Sequence, residues 1–70
     1  MALVSMGPML KRARAQSYGI AAYNMIDYNS ARAIVEGAQS TDAPVIVQVS
    51  VKTVKHWGYT PIAHWVRDLA

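Results

Sequence analysis

The chain has 70 residues, of which 53% are hydrophobic and 16% are charged, and it contains no cysteine. These figures exclude an intrinsically disordered segment, a disulfide-stapled secreted domain and a cysteine-ligated zinc finger. No apolar stretch approaches the roughly 20 residues that a membrane-spanning helix needs, so we expect no membrane partner. A chain this short buries only about 60% of its unfolded surface, which leaves an isolated domain a thin margin of stability.

The net charge of +3 comes from scattered basic residues. One small cluster lies on a predicted helix that no acidic residue precedes: Lys11, Arg12 and Arg14. No aromatic residues alternate with this cluster, as they would on a nucleic-acid-binding surface, so we expect a solvated helix face and no nucleic-acid partner. The basic, acid-free start also has a mild similarity to an organelle transit peptide.

The first third of the chain predicts a helix followed by a short strand. Ser5 suits the N-cap of the helix and Pro8 its first turn, where a missing N–H does no harm. The apolar face of the helix repeats at the i, i+3, i+4, i+7 spacing, with its methionines as core fillers: Met6, Met9, Leu10 and Ala13. Gly19 is placed to end the helix in a left-handed conformation, and residues 20–23 fit a strand that stops at Asn24.

A second helix and a second strand follow. Asp27 or Asn29 is expected to cap this helix, and Gly37 either weakens it by about 1 kcal/mol relative to alanine or permits close packing. Its apolar face again has helical spacing: Ala31, Ile34, Val35 and Ala38. Three residues break the helix: Thr41, Asp42 and Pro44. Residues 45–49 are apolar except for Gln48, which is typical of a parallel strand covered on both faces.

The last third of the chain ends in a helix. Residues 51–58 fit either an irregular segment or a short helix, whereas Thr60 suits the N-cap and Pro61 the first position of the final helix. The apolar face of that helix is formed by Ile62, Trp65, Val66 and Leu69. The order helix, strand, helix, strand, helix predicts an α/β fold with two parallel strands joined by a crossover. Two parallel strands normally belong to a larger sheet or barrel, so the pattern is typical of the opening of a longer domain.

Polar residues stand where both predicted strands end. Asn24 follows the first strand and Ser50 follows the second. The carboxyl ends of parallel strands share one rim, where ligands bind, so this pair suits a hydroxylated or phosphorylated ligand. Alternatively, both residues only terminate strands and cap turns, and the pattern by itself leaves the two interpretations open.

Other polar and aromatic residues near this rim indicate little chemistry. Three basic side chains follow Ser50 and either attract a phosphate or belong to a solvated loop: Lys52, Lys55 and His56. His56 and His64 lack the short spacing of zinc ligands, and His64 is expected to be a partly exposed helix residue. Trp57 and Trp65 are interpreted as packing residues. No nucleophile–base pair, phosphate-cradling glycine loop or carboxylate dyad can be assembled.

Several segments closely resemble the amino terminus of class II fructose-bisphosphate aldolases. They are residues 1–6 (MALVSM), 18–24 (YGIAAYN) and 31–50 (ARAIVEGAQSTDAPVIVQVS), with Lys55 in the segment that follows. The resemblance runs without a gap from residue 1 to about residue 59, and it is strongest in the spacing from Asn24 to Ser50. Tagatose-bisphosphate aldolases share this opening, so the resemblance leaves the sugar open.

The resemblance implies that residues 1–70 are the amino-terminal fragment of a single (β/α)8 TIM-barrel domain, with a leading helix across the barrel bottom. Members of the family cleave a ketose bisphosphate reversibly into dihydroxyacetone phosphate and glyceraldehyde 3-phosphate, in glycolysis and gluconeogenesis. Zinc polarises the ketone and stabilises the enediolate in this reaction. The resemblance further implies a cytoplasmic enzyme that is a homo-oligomer when intact.

Transferred to this sequence, the resemblance makes Ser50 a contact of the glyceraldehyde 3-phosphate part of the substrate and Asn24 a residue that orders the active site. The chain departs from the family where Lys52 replaces a common glycine and where the aromatic residue after Lys55 is displaced to Trp57.

The catalytic aspartate and the zinc histidines of the family belong to motifs that are expected downstream of Ala70, the last residue of the sequence. We therefore expect no catalytic or metal-ligating residue among the 70 residues and an inactive isolated chain. The alternative to an enzyme fragment is a non-catalytic interaction module.

Overall fold

The computed structural model describes residues 2–70, so Met1 of the MALVSM segment lies outside the described part. Residues 2–70 contain four helices and two strands, in this order: α1 (Met6–Gln16), β1 (Ala21–Asn24), α2 (Tyr28–Ser40), β2 (Val45–Gln48), α3 (Val51–Trp57) and α4 (Tyr59–Leu69). The predicted α/β class is confirmed. Residues 51–58, for which the sequence left two alternatives, contain a separate short helix.

The two strands form a parallel pair connected through α2. Ala21 is opposite Val45 at one end of the pair, and Asn24 is opposite Gln48 at the other. Strand β1 is shifted by one residue from its prediction, because Ile20 lies outside it and Asn24 belongs to it. Strand β2 is one residue shorter than predicted, because Val49 lies outside it. The pairing continues one step past β1, where the Met25 N–H donates to the Gln48 carbonyl oxygen at 2.9 Å.

Helix α1 ends earlier than the sequence predicts. Ser17 adopts the left-handed conformation with a φ of 57°, so the expectation that Gly19 would do so is wrong. The physical reason is that the last carbonyl groups are already satisfied two residues before Gly19. The Ser17 N–H donates to the Arg14 oxygen at 3.3 Å, and the Tyr18 N–H donates to the Ala13 oxygen at 3.0 Å. Ser5 occupies the N-cap position but makes no capping hydrogen bond through its side chain.

The predicted apolar face of α1 is mostly uncovered. Ala13 is buried and Met9 is half-buried, but Met6 and Leu10 are 51% and 44% exposed. The interpretation of Met6 as a core filler is therefore wrong. No other helix or strand in residues 2–70 packs extensively against α1, so its apolar stripe faces solvent.

Helix α2 begins with a reciprocal pair of hydrogen bonds. The Ser30 N–H donates to Asp27 Oδ1 at 2.7 Å, and the Asp27 N–H donates to Ser30 Oγ at 3.1 Å. This capping box explains why Asp27 is the cap and the other candidate, Asn29, is not: only Asp27 has a partner three residues later. The predicted face of α2 is confirmed: Ala31, Val35 and Ala38 are buried and Ile34 is half-buried.

The core lies between α2, β2, α3 and α4. Met25, Ala31 and Ile62 are its buried centre, at 1%, 0% and 8% exposure. Partly buried side chains from these elements pack around them: Ile34, Val47, Val49, Val54, Trp65, Val66 and Leu69. All four residues of β1 are exposed. The coverage on both faces that parallel strands normally have is therefore not supplied by residues 2–70.

A single glycine separates α3 from α4. Gly58, with a φ of 89°, is the C-cap of α3 and also the N-cap of α4, and its N–H donates to the Val54 oxygen at 2.7 Å. The prediction of Thr60 as N-cap and Pro61 as first helical residue is wrong, because α4 already begins at Tyr59. Pro61 still lies in the first turn, where its missing N–H is harmless.

Helix α4 runs almost to the last residue of the sequence. Ala70 is its C-cap, and the Ala70 N–H donates to the Val66 oxygen at 3.0 Å. The described part of the chain therefore ends in regular helical hydrogen bonding. None of the helices in residues 2–70 has the length and apolar character required to cross a membrane.

Candidate functional site

The parallel register brings the two predicted site residues to the same edge of the sheet. Asn24 is the last residue of β1 and pairs with Gln48, the last residue of β2. Ser50 follows Gln48 by two positions and stands directly before α3. Both Asn24 and Ser50 are exposed, so their side chains are accessible to a ligand at the carboxyl edge.

Ser50 caps α3. Its Oγ accepts a hydrogen bond from the Thr53 N–H at 3.3 Å and lies 3.1 Å from Thr53 Oγ1. Its carbonyl oxygen accepts from the Val54 N–H at 3.1 Å, which closes the first turn. A hydroxyl group has one donor and two acceptor positions, so these two partners leave Ser50 Oγ capacity for one further hydrogen bond. The capping role is thus compatible with a ligand contact.

The Asn24 side chain is exposed and makes no hydrogen bond within residues 2–70. Its amide therefore retains one acceptor group and two donor hydrogens. An amide of this kind can bond a hydroxyl or a phosphate oxygen.

The loop after β1 is held by three neighbouring elements. Met25 is bonded to β2 through the Gln48 oxygen, as described above. The Ile26 N–H donates to Ser30 Oγ of α2 at 2.8 Å. The Ile26 carbonyl oxygen accepts from Trp57 Nε1 of α3, also at 2.8 Å. Strand β2 and helices α2 and α3 therefore each contribute a hydrogen bond to this loop.

Trp57 makes a long-range hydrogen bond that the sequence analysis did not predict. It is the last residue of α3 and lies 31 positions from Ile26, its hydrogen-bond partner. The interpretation of Trp57 and Trp65 as packing residues is correct as far as their rings are concerned. Their ring centroids are 5.2 Å apart at an interplanar angle of 73°, and Trp65 meets Tyr28 edge-on at 6.2 Å. No local pattern in the sequence indicates that one indole N–H reaches a distant backbone oxygen.

The basic residues near Ser50 remain exposed. Lys55 and His56 lie in the last turn of α3, where a positive charge interacts favourably with the helix dipole. Lys52 lies in the first turn of the same helix. The ion pair found in residues 2–70 is elsewhere, between Arg32 and Glu36 on the surface of α2 at 2.8 Å. The hydrogen bond from Glu36 and its negative charge raise the pKa of Arg32.

The strand-end edge is an open rim within residues 2–70. Two clefts of about 590 and 520 Å³ lie elsewhere. The first is bordered by α1 and the turn between α2 and β2, and the second by β1, α2 and the start of β2. Neither is lined by Asn24 or Ser50.

The zinc that the resemblance implies does not fit the side chains of this part of the chain. Residues 2–70 contain no group of three or more His, Cys, Asp or Glu side chains placed to hold a metal ion. The ring centroids of His56 and Trp57 are 4.7 Å apart, and His64 is exposed on α4. No step of a reaction can therefore be assigned to a metal held by these residues. The location of the catalytic and zinc-ligating residues downstream of Ala70 stays a prediction.

The comparison with known proteins agrees with the resemblance. The sequence profile of the family described as fructose-bisphosphate aldolase class-II matches residues 4–70. Fructose-bisphosphate aldolases of Stutzerimonas stutzeri and Pseudomonas aeruginosa are each 42% identical over 66 residues, which is 94% of this chain and 19% of the relative. A 6-phospho-5-dehydro-2-deoxy-D-gluconate aldolase of Halalkalibacterium halodurans is 43% identical over 58 residues, 83% of this chain and 20% of the relative.

This chain spans about a fifth of the length of these curated relatives. The family profile nevertheless covers nearly all of the chain, from its leading helix to Ala70 at the end of α4. The chain therefore belongs to the class-II fructose-bisphosphate aldolase family.

Proposed function

We propose that residues 1–70 form the opening part of a (β/α)8 barrel that catalyses zinc-dependent aldol cleavage of a ketose bisphosphate. In this proposal Asn24 and Ser50 contact the substrate. The observation that carries it is the parallel register of Asn24 with Gln48, which brings Asn24 and Ser50, both exposed, to one edge. The family supplies the class of reaction: reversible formation of dihydroxyacetone phosphate and glyceraldehyde 3-phosphate.

The exposure of β1 supports the barrel proposal. Its four residues, two alanines with Tyr23 and Asn24, are exposed, and within residues 2–70 only one of its two edges is paired. A parallel strand is normally buried on both faces and bonded on both sides, so further strands and helices are needed to complete this environment. We propose that they come from barrel segments outside the 70 residues.

In the proposed site, Ser50 and Asn24 bind and orient the substrate. Ser50 Oγ, which caps α3, uses its remaining hydrogen bond for the phosphate or hydroxyl oxygens of the glyceraldehyde 3-phosphate part. The Asn24 amide helps to order the site. Lys52, exposed in the turn that follows Ser50, adds positive charge close to a doubly anionic phosphate.

The metal and the proton-transferring group are proposed to come from barrel segments downstream of Ala70. When bound, zinc supplies polarisation of the substrate ketone. Because the donor side chains of residues 2–70 do not fit a metal, the isolated chain is proposed to be inactive. We propose the cytoplasm as its compartment and a homo-oligomer as the intact form, both on the basis of family membership.

Fructose 1,6-bisphosphate is the proposed substrate, and tagatose 1,6-bisphosphate is the alternative. The first is supported by the names of the two relatives from Stutzerimonas stutzeri and Pseudomonas aeruginosa. The name of the relative from Halalkalibacterium halodurans carries a different phosphorylated sugar acid, so the sugar varies among proteins with this opening.

A graft tests the proposal directly. The part of this chain that aligns with the Pseudomonas aeruginosa relative over 66 residues would replace its counterpart in that protein, and zinc-dependent cleavage of fructose 1,6-bisphosphate would be measured. We expect an active graft and a loss of about tenfold to a hundredfold in kcat/KM on Ser50→Ala, the range for losing a hydrogen bond to a charged group. Ser40→Ala is the matched control, because Ser40 is exposed but bonds only the Gly37 oxygen of its own helix.

Two results would oppose the proposal. An inactive but folded graft would mean that this segment does not complete the site. Equal kcat/KM values for the Ser50→Ala and Ser40→Ala grafts would remove Ser50 from the substrate site.

A non-catalytic interaction module remains the second candidate. It is favoured by large apolar side chains that residues 2–70 leave exposed, including Ile26 at 63%, Val51 at 71% and Tyr59 at 79%. Under this proposal the chain docks on a partner through these surfaces without performing chemistry. A folded graft that lacks activity, together with tight binding of the 70-residue chain to the remainder of the relative, would favour it.

A further inference from the structure

We infer that Trp57 is a positioning residue, whose indole N–H holds α3 against the loop after β1 and so fixes Ser50 relative to Asn24. The tether itself stands on the contacts of the described residues. Its consequence for substrate binding rests on the proposed function.

The first step is that α3 has few other attachments: Val54 packs against the core, and the helix contacts α4. None of its seven residues is buried, and only Thr53 and Val54 are half-buried. The N-terminus of α3 is connected to β2 through residues 49 and 50, and Trp57 is the residue at its C-terminus. The hydrogen bond from Trp57 Nε1 to the Ile26 oxygen, at 2.8 Å, is the side-chain hydrogen bond that connects α3 to the rest of residues 2–70.

The second step is that the acceptor is itself held in place. Ile26 is 63% exposed, so burial of its own side chain does not fix the loop. Its neighbour Met25 is 1% exposed and bonded to Gln48, and the Ile26 N–H is bonded to Ser30 Oγ. The Ile26 carbonyl is therefore a defined anchor that directly follows the end of β1.

The third step is that the indole ring is oriented by aromatic contacts. Trp57 packs edge-on against Trp65 of α4, with centroids 5.2 Å apart, and Trp65 packs edge-on against Tyr28 of α2 at 6.2 Å. Because Trp57 is 41% exposed, these contacts and the hydrogen bond determine its direction more than burial does. The ring thus relates α3 to both α2 and α4.

Together these contacts connect the two loops of the proposed site. Asn24 precedes the anchored loop, and Ser50 caps the helix that Trp57 attaches to that loop. A ligand that contacts both residues needs them at a constant separation, since small displacements of binding groups weaken contacts steeply. Loss of the indole N–H should therefore impair binding of the substrate more than it impairs folding.

An exchange of one atomic group tests the inference. Trp57→3-benzothienylalanine replaces the indole N–H by sulfur and preserves the shape of the ring. The same exchange at Trp65 is the matched control, because the Trp65 N–H makes no hydrogen bond in residues 2–70. Both variants are made in the 70-residue chain and in the graft described above.

We expect the exchange at Trp57 to raise the KM for fructose 1,6-bisphosphate about two- to tenfold. The kcat should be nearly unchanged, because the lost contact weakens binding of the substrate and of the transition state equally. It should also speed amide deuterium exchange in residues 50–57 by a similar factor. The exchange at Trp65 should change neither quantity.

The outcomes separate this inference from the proposed function. Equal KM values for the two exchanges would overturn the positioning role, and faster deuterium exchange with an unchanged KM would reduce Trp57 to a structural contact. An inactive graft with native Trp57 would oppose the proposed function. In that case, deuterium exchange in the 70-residue chain still decides whether the tether exists.

Discussion

Trp57 and Ile26 are joined by a hydrogen bond of 2.8 Å between the indole nitrogen of one and the carbonyl oxygen of the other. The two residues lie at the end of α3 and just after β1, so the bond crosses the edge at which both strands end. It places a short, exposed helix beside a loop whose own backbone groups are satisfied by two other elements. Asn24 directly precedes the loop that contains Ile26, and Ser50 caps the helix that ends at Trp57.

Ser50→Asp should separate the capping role of Ser50 from its proposed ligand contact. Aspartate caps helices as well as serine does, so α3 should stay formed, whereas its negative charge should repel a phosphate. We expect deuterium exchange in residues 50–57 to stay unchanged while kcat/KM of the graft falls more than tenfold. Ser50→Ala should increase that exchange, because losing a cap costs about 1 kcal/mol. Unchanged kcat/KM in the aspartate variant would contradict a phosphate contact.

Asp27→Ala should destabilise the start of α2 by about 1 kcal/mol. The variant removes the acceptor of the Ser30 N–H, which lies 2.7 Å from Asp27 Oδ1. Deuterium exchange of the amides in the first turn of α2 measures this loss. Asp68→Ala is the control: Asp68 is exposed near the end of α4, where a negative charge opposes the helix dipole, so its removal should not destabilise. Equal exchange in both variants would mean that the capping box is energetically unimportant.

Gly58→Ala should destabilise the chain by about 1–3 kcal/mol, because a φ of 89° with a ψ of 161° is a conformation that is almost restricted to glycine. Space is not the limit, since an added Cβ would meet only the Pro61 ring, at 3.7 Å. Gly37→Ala should do the opposite and stabilise α2 by about 0.5–1 kcal/mol. Apart from its chain neighbours and the nearby backbone of α2, no atom of residues 2–70 lies within 4 Å of a Cβ added at Gly37, so close packing does not require glycine there. Urea unfolding followed by circular dichroism measures both, and a shift of the same sign would contradict this account.

Tyr23→Lys should reduce self-association of the isolated chain. Tyr23 is 55% exposed on β1, which has one edge unpaired in the described part of the chain and contains no charged residue to discourage pairing with another strand. Sedimentation velocity at several concentrations should show association of the native chain and less of it in the variant. Tyr59→Lys, at a helical position that is 79% exposed, controls for the loss of an aromatic side chain. A native chain that stays monomeric at every concentration would contradict the expectation.

The agreement between sequence and structure is best where local signals coincide with burial. The apolar face of α2 is covered by β2 and α4, so its helical spacing predicts its buried residues correctly. The same spacing fails in α1, where Met6 is 51% exposed because no element in residues 2–70 covers that face. Periodicity predicts which residues share a face, but a partner must be present for that face to be buried.

The ends of the helices also depend on more than the local sequence. The sequence offered Asp27 or Asn29 as the cap of α2, and the hydrogen bonds between Asp27 and Ser30 decide for Asp27. The end of α1 differs from its prediction, because Ser17, with a φ of 57°, adopts the left-handed conformation that was expected of the glycine two positions later. The start of α4 at Tyr59 was missed because Gly58 serves two helices at once, an arrangement that depends on how α3 and α4 pack together.

The sequence alone determined the α/β class and the parallel order of the strands, because these depend on spacing and on residue types that are close together in the chain. Its resemblance to known sequences identified the family. It also predicted that Asn24 and Ser50 end successive strands, from which their common edge follows by the geometry of parallel pairing. Only the tertiary structure decided that α3 is a separate helix capped by Ser50 and attached through Trp57 to Ile26. The physical reason is that this attachment joins residues 31 positions apart. A bond of that kind depends on how α2, β2, α3 and α4 pack together, so no local pattern encodes it.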